Sequence, residues 1–398
     1  MKIFVQIASY RDPELLPTIR DCINKAKYPE NLTFGICWQR DETESMEEFT
    51  NDSRFKILDY HWSESKGLCW ARSEIQKLWD GEEYTMQLDS HHRFLQDWDV
   101  ELIDMMKMTD SEKPIITSYA GMYRPSTNEL INVDPYKMVA SNFTPGGTIL
   151  FFPTSIPNWE TLDKPIPARF VSGHFFFTIG KHCEEYKYDP NLYFAGDEIS
   201  LSIRSYTLGY DLFHPHKTVV WHEYTREGRT KHWTDFNQEN KNNGVVEKQW
   251  WEMDNESKRR LRHMLQEEDN NIDLGIYGLG SVRTHTDYEN YAGINFKNRR
   301  LHVETIKGTN PPINDLTEWY KKEEKTYNLS LKIPYTENFN FIYVAVEDEN
   351  GNVLHRQDML EYKETLNVTL KTTETLSKWV YWVNDKQGNW INRIDTKL

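Results

Sequence analysis

The chain has no apolar run approaching the ~20 residues that a membrane span needs. Its opening, MKIFVQIASYRDPELL, lacks the longer apolar core and small-residue cleavage site of a signal peptide. No membrane span is therefore expected, the start reads as a folded first strand, and a cytoplasmic location is the default. Cysteine is scarce: Cys22, Cys37, Cys69 and Cys183 lie far apart and form no C-x-x-C pair, which points to neither a zinc knuckle nor a disulfide framework. Positive charge is in deficit, with Lys+Arg 47 against Asp+Glu 62 and a formal net charge of −15. That balance disfavours nucleic acid and anionic membranes, while a few local arginines still suffice for a small phosphate ligand. Internal repeats and low-complexity tracts are absent as well.

What is present is length and aromatic side chains. The 398 residues fit one large domain or two to three ordinary ones. Aromatic content is 14%, with Trp 14 and Tyr 22; such rings fill cores and also stack on the apolar faces of sugars. In the first half, strand-like and helix-like segments alternate: KIFVQIAS, PELLPTIRDCINKA, LTFGICWQ, RFKILDYHW, GLCWARSEIQKLW and EYTMQLD. This alternation predicts an α/β fold with a doubly wound, mostly parallel sheet, whose ligands sit beyond the carboxyl ends of the strands. We expect this domain to span residues 1–240 and a helical extension, with the amphipathic VVEKQWWEMDNESKRRLRHML, to span 241–324. From 325 to 398 the segments YNLSLKIPY, FNFIYVAVED, TLNVTLKT and KWVYWVND, separated by DENGN and NDKQGN, predict a small antiparallel β-sandwich of roughly 70 residues.

Candidate chemistry lies at strand and helix ends. In QLDSHHRF, Asp89 and His91 stand two apart after a buried strand, and on an extended chain they face one side. They suit a divalent ion, although a short polar turn needs no ligand. KGLCWAR, from Lys66 to Arg72, sets a glycine at a loop-to-helix junction with an arginine one turn in, as suits a diphosphate or an ordinary exposed helix face. Asp197 and Glu198 in FAGDEISLSIR open a helix, where acidic residues also complement the dipole. His222 ends VVWH, and Gly173 and His174 precede FFFTIG, where close ligand approach and a simple turn account equally well for the glycine.

The order of these pieces resembles the GT-A-type nucleotide-sugar glycosyltransferases. IASYRDPEL, LDSHHRF and YGLGSVRTHTDYENYAGINF look more closely like the UDP-GlcNAc:polypeptide (hydroxyproline) N-acetylglucosaminyltransferases. FAGDEISLSIRSYTLGYDLFHPHKTVVWHEYTR is similar in layout to the mucin-type polypeptide N-acetylgalactosaminyltransferases. The resemblance covers roughly residues 1 to 300. It implies Asp89, His91 and His222 as ligands of Mn²⁺ or Mg²⁺, and a UDP-sugar donor held by Ser9, Arg11, Asp12, Lys66, Arg72, Asp89, Ser90, Gly173 and His174. Asp197, with Glu198 beside it, would reach the sugar or the acceptor hydroxyl. His92 is left out of the metal set because a strand would turn it away from His91. The implied reaction moves a sugar, GlcNAc first, to a hydroxyl on a polypeptide or glycan with retention of configuration. A carbohydrate-binding protein without turnover and a metal-dependent hydrolase are the alternative classes; UDP binding that requires added metal separates the first reading from both.

Overall fold

The computed structural model describes residues 1–225, 228–322 and 325–398. The chain divides into two compact units, Met1–Met138 with Pro153–Tyr288, and Val139–Phe152 with Glu289–Leu398.

The first unit is built on an eight-stranded sheet. From edge to edge its strands are Ile166–Pro167, Asp211–His214, Pro114–Thr117, Phe175–Ile179, Tyr84–Asp89, Ile3–Tyr10, Leu32–Arg40 and Phe55–His61. Ile3–Tyr10 runs parallel to both neighbours and is buried at every position but the last. A near-continuous apolar run behaves this way when both faces of a sheet are covered. The helices Leu15–Lys25 and Trp98–Lys107 cover one face, with Ile19, Cys22, Trp98 and Leu102 fully buried. Leu68–Gln76 packs Trp70, Ala71 and Ile75 with Phe4, Ala8 and Cys37 in a second cluster.

The sheet is more mixed than a doubly wound reading predicts. Phe175–Ile179 runs antiparallel to both of its neighbours, and Ile166–Pro167 is antiparallel to Asp211–His214. An all-apolar run such as FFFTI carries no record of direction, because burial on both faces suits either orientation. The reversal has a consequence for the rim: it brings Gly173 and His174, which precede this strand, beside the end of the strand that carries Asp89. Phe175 pairs with Leu88, and the Asp89 N–H donates to the His174 carbonyl at 3.2 Å.

A second sheet orders His92–Phe94, Val220–His222, Gly121–Arg124 and Glu129–Ile131. Its antiparallel register sets His222 opposite His92, closing a sequence gap of more than a hundred residues. Further along, the expected amphipathic helix spans Trp250–Met264 and buries Asp254, Ser257, Leu261 and Met264 along one face.

In the second unit, Lys325–Lys332 pairs with Thr365–Thr372, and a four-stranded sheet orders Val353–Met359, Phe339–Asp348, Leu376–Asp385 and Trp390–Lys397. All of these pairings are antiparallel. Leu331, Val368 and Leu370 from one sheet and Ile342, Val344, Tyr381 and Val383 from the other share a single core, as a sandwich requires. Two of its strands, Val353–Met359 and Trp390–Lys397, are returning arms of hairpins that are not among the four strands expected from the sequence. Their polar sequences, VLHRQDM and WINRIDTK, lack strict alternation.

Candidate active site

Asp89 is the last residue of its strand, and its carboxylate points into the space above the sheet. Arg72 donates from Nη2 to Asp89 Oδ1 at 3.0 Å. The other oxygen, Oδ2, lies 3.5 Å from His222 Nε2 and 3.8 Å from His91 Nε2. One ligating atom from each of the three residues falls within 4.8 Å of the other two. His91 Nδ1 is 2.7 Å from Asp12 Oδ2, and Ser90 donates its hydroxyl proton to the same oxygen at 2.7 Å. With Asp12 ionised, the proton of His91 sits on Nδ1 and the Nε2 lone pair turns toward Asp89. A carboxylate behind an imidazole is how metal-binding histidines are oriented.

His222 is buried, and among the described residues Nδ1 has no hydrogen-bond partner while Nε2 has only the long 3.5 Å approach to Asp89 Oδ2. A buried polar atom without a close partner is costly, and a cation between His222 Nε2 and Asp89 would relieve it. Burial pushes the His222 pKa down to about 4 against the pull of Asp89, which keeps the imidazole neutral, the form that ligates. Burial alone would raise the Asp89 carboxyl, but His222, Arg72 and His91 hold it well below the usual carboxylate range. The residues present therefore fit a divalent cation with mixed oxygen and nitrogen ligands. Arg229 bears on this fit: its Nη1 donates to His91 Nε2 at 2.7 Å, so that contact and an ion at the same lone pair exclude each other.

Behind Asp89 lies a buried polar cluster. Arg72 is 2% exposed, and besides Asp89 it binds the Asp197 carboxylate and, at 2.6 Å, the Gly173 carbonyl. Burial alone would lower the Arg72 pKa, yet Tyr188, Asp197 and Asp89 raise it. Gly173 has no room for a side chain: a Cβ there would lie 2.9 Å from Asp197 Oδ2 and 3.3 Å from Arg72 Nη1. Glu198, next along the helix Asp197–Thr207, accepts from the Gly173 N–H at 3.0 Å and from the Tyr119 hydroxyl at 2.9 Å. Burial, reinforced by Asp197, pushes the Glu198 carboxyl up to about 7, although both hydrogen bonds pull the other way. Gly196 (φ +93°) turns the chain into this helix, with the Leu261 side chain against the space a Cβ would take.

A cavity of about 180 Å³ opens above Asp89, Ser90, His91 and His222 and is also lined by Asp12 and Arg229. The segment after His222 crosses it. Arg229 pairs with Glu223 at 2.7 Å, and His232 links the Tyr193 hydroxyl at 2.8 Å to the Ser65 hydroxyl at 3.0 Å. Asp235 accepts from Tyr10 at 2.8 Å and Arg11 at 2.9 Å.

The structure thus brings Asp12, Asp89, Ser90, His91 and His222 together around one cavity, with Gly173, Asp197 and Arg72 packed behind them. His174 is fixed by the Ala120 N–H, which donates to its Nε2 at 3.1 Å, and by Ser172 on Nδ1. His92 is fully buried, with Nδ1 3.1 Å from the Asp89 carbonyl, and lies outside the three-residue cluster. Other expected donor residues are placed differently. Arg11 is paired with Asp41 and Asp235, Ser9 is fully buried, and Lys66 lines a neighbouring cavity of about 1360 Å³. The sequence reading passed over Arg229, His232, Tyr193 and Tyr119. The basic and aromatic density of TREGRTKHW, directly after a candidate ligand, is the one signal that pointed to the first two.

Comparison with known proteins defines the class. The family model for Glycosyltransferase (GlcNAc) matches residues 2–50 and 42–298, well over half of the chain. The chain belongs to this glycosyltransferase family. Among curated proteins no match was found. Solved structures similar to the chain include GalNAc-T7 with UDP, GalNAc and Mn²⁺, at 17% identity and a TM-score of 0.48, the likeness covering 72% of this chain and 54% of that one. The chain thus spans about half the length of GalNAc-T7. S. aureus TarS, residues 1–349, in complex with UDP-GlcNAc is 12% identical with a TM-score of 0.39, covering 69% and 68% of the two chains. No helix among the described residues is long and apolar enough to cross a membrane.

Proposed function

We propose that the protein is a GT-A-type, divalent-metal-dependent glycosyltransferase that moves GlcNAc from UDP-GlcNAc to a hydroxyl on a polypeptide with retention of configuration. Family membership supports the reaction class. The observation that carries the metal and donor assignment is the convergence of Asp89, His91 and the buried His222 on one cavity at the carboxyl end of the central strands. The resemblance to the hydroxyproline N-acetylglucosaminyltransferases supports the donor sugar and acceptor. Four cysteines that are all buried free thiols are in keeping with a cytoplasmic setting.

In this reading Asp89, His91 and His222 hold Mn²⁺, which when bound supplies neutralisation of the charge that builds on the departing β-phosphate. Asp12 fixes the tautomer and direction of His91. Arg229 stands within reach of the same phosphates. Asp197 was expected at the sugar; its carboxylate is turned onto Arg72, so its role is to hold the guanidinium that orients Asp89. Direct contact with the sugar or acceptor falls to Glu198. A carboxyl with a pKa near neutrality both accepts and returns a proton at working pH.

A thermal-shift series with UDP-GlcNAc, with Mn²⁺ or with chelator, tests the donor reading on wild type and Asp89→Ala. Ligand stabilisation reports affinity, so the wild type should be stabilised only when metal is added and the variant in neither case. Equal stabilisation in chelator would refute the metal assignment, and anomer analysis of the product tests retention.

A further inference from the structure

The outer face of the four-stranded sheet in the second unit gathers four aromatic side chains. Register places them on one side: Tyr343 lies opposite Trp382, while Phe341 lies opposite Asn384, which in turn faces Trp390. The alternate positions Ile342, Val344, Tyr381 and Val383 point the other way and build the core. The Trp390 ring lies 4.6 Å from Trp382, 5.4 Å from Phe341 and 6.1 Å from Tyr343. It is nonetheless 43% exposed. Polar groups frame the rings and are themselves fixed. Arg393 sits 5.1 Å over Trp382 and is held by Asp395 at 2.9 Å. Arg356 sits 5.1 Å over Tyr343 and is held by Asp358 at 2.7 Å. The Asn340 amide donates to Asn384 at 3.1 Å beside Phe341.

The sandwich core does not need these rings, and leaving Trp390 exposed beside three half-buried rings forgoes favourable burial. What they offer a ligand is a rigid apolar platform rimmed by guanidinium, carboxylate and amide groups. That combination matches a molecule with C–H faces and equatorial hydroxyls, in which the faces stack on rings and the hydroxyls find both donors and acceptors. A polyanion is a poor fit, because Asp395 and Asp358 lie at the rim and the chain carries a net charge of −15. A protein partner that buried this patch would have to desolvate two ion pairs that a hydroxyl-rich ligand leaves hydrated. We propose that this face is a carbohydrate-binding surface that takes a short neutral oligosaccharide. None of the residues assigned to UDP or metal belongs to this unit.

The test uses the full chain on an array of immobilised tetra- to hexasaccharides of glucose, GlcNAc, galactose and mannose, without UDP and with chelator. Wild type should bind at least one of these series. Trp382→Ala/Trp390→Ala should lose affinity by about tenfold or more, as removal of two stacking rings implies, while Trp390→Phe keeps most of it and confirms that the sheet is intact. Asp89→Ala should bind as wild type does, even if UDP binding is lost. The proposal is overturned by absence of binding to every series, by binding that survives the double substitution, or by equal loss in Asp89→Ala, which would move the sugar to the donor cavity. Sedimentation adds one more overturning result: a wild-type dimer that the double substitution dissociates, with no sugar bound, would make the occupant a second copy of the chain.

Discussion

Glu198→Gln tests the acid–base reading most directly, because it keeps the shape of the side chain and removes only its titration. The carboxyl is raised from 4.5 to about 7, with burial as the leading cause. An unfolded chain releases this proton near 4.5, whereas the folded protein holds it until about 7. Between those values the folded state binds more protons, so stability falls as pH climbs through that window, and the full loss is reached above it. At about 1.4 kcal/mol per pH unit the gap corresponds to ~3 kcal/mol; the side chain is partly open to solvent, which reduces the figure to ~2 kcal/mol. Glutamine can accept from the Gly173 N–H with its one oxygen and turn its amide NH2 toward the Tyr119 oxygen, so both neighbours keep a partner while no charge is buried. Urea unfolding of both proteins from pH 4.5 to 8.5 should therefore show the variant gaining on wild type by about that amount as pH rises, with no gain at the acid end. In transfer assays kcat should drop by about 10²-fold or more, and its pH dependence near 7 should vanish while UDP affinity holds. A constant stability difference across the pH range, or a kcat profile that keeps its inflection in the variant, would refute the reasoning.

Other substitutions separate the remaining roles. His222→Ala should weaken Mn²⁺ and UDP together and be partly rescued by excess metal, as calorimetric titration reads; loss of UDP affinity that no metal concentration restores would exclude a ligand role. Arg229→Ala removes the group that occupies the His91 Nε2 lone pair, so the UDP-free protein should bind Mn²⁺ more tightly, and unchanged or weaker binding would rule out the competition. Asp197→Asn leaves Arg72 buried with one anion fewer, which costs about 3 kcal/mol in comparable pairs, and UDP with Mn²⁺ should bind more weakly because Arg72 orients Asp89. Normal stability would mean that the pair is not structural. Gly196→Ala forces a side chain into positive φ against Leu261 and should cost about 1–3 kcal/mol in unfolding experiments.

The Asp89–His91 part of this cluster was legible because it rests on a local spacing. Asp89 and His91 stand two apart at a strand end, and that pattern survives in the sequence whatever the rest of the chain does. His222 was reachable only through the resemblance, since its partner in the sheet, His92, lies more than a hundred residues away and pairing across such a gap leaves no local mark. The surroundings of Arg72 were not legible for a related reason. An arginine one turn into a helix reads as an exposed phosphate binder, and nothing in KGLCWAR discloses that Asp89, Asp197 and the Gly173 carbonyl converge on it. In the sandwich, FNFIYVAVED and KWVYWVND announced themselves by β-branched and aromatic content. The hairpin return Trp390–Lys397, exposed at every position, carries no burial pattern to read.

The reversed strand Phe175–Ile179 explains why the site holds together. Had it run parallel to Tyr84–Asp89, Gly173 would stand at the opposite end of the sheet and Arg72 would lose the carbonyl it binds at 2.6 Å. Reversal places that carbonyl, the Gly173 N–H bonded to Glu198 and the carbonyl of His174 bonded to the Asp89 N–H at a single point. Residues 72, 89, 173, 197 and 198 thereby become one electrostatic unit, although they come from two helices, one strand and the bend before another. Asp89 stays ionised because His222 and Arg72 face it, Arg72 stays in place because Asp197 neutralises it, and burial, with a smaller push from Asp197, keeps the Glu198 carboxyl near neutrality. On the proposed function, metal ligation and proton handling would share one charge balance, so a substitution at Arg72, Asp89, Gly173 or Asp197 should shift both UDP–metal affinity and the pH dependence of turnover. Glu198→Gln checks this from the other end: the residue lies at the end of the series, Arg72 does not depend on its charge, and the substitution should alter turnover and pH-dependent stability while leaving UDP–metal affinity unchanged.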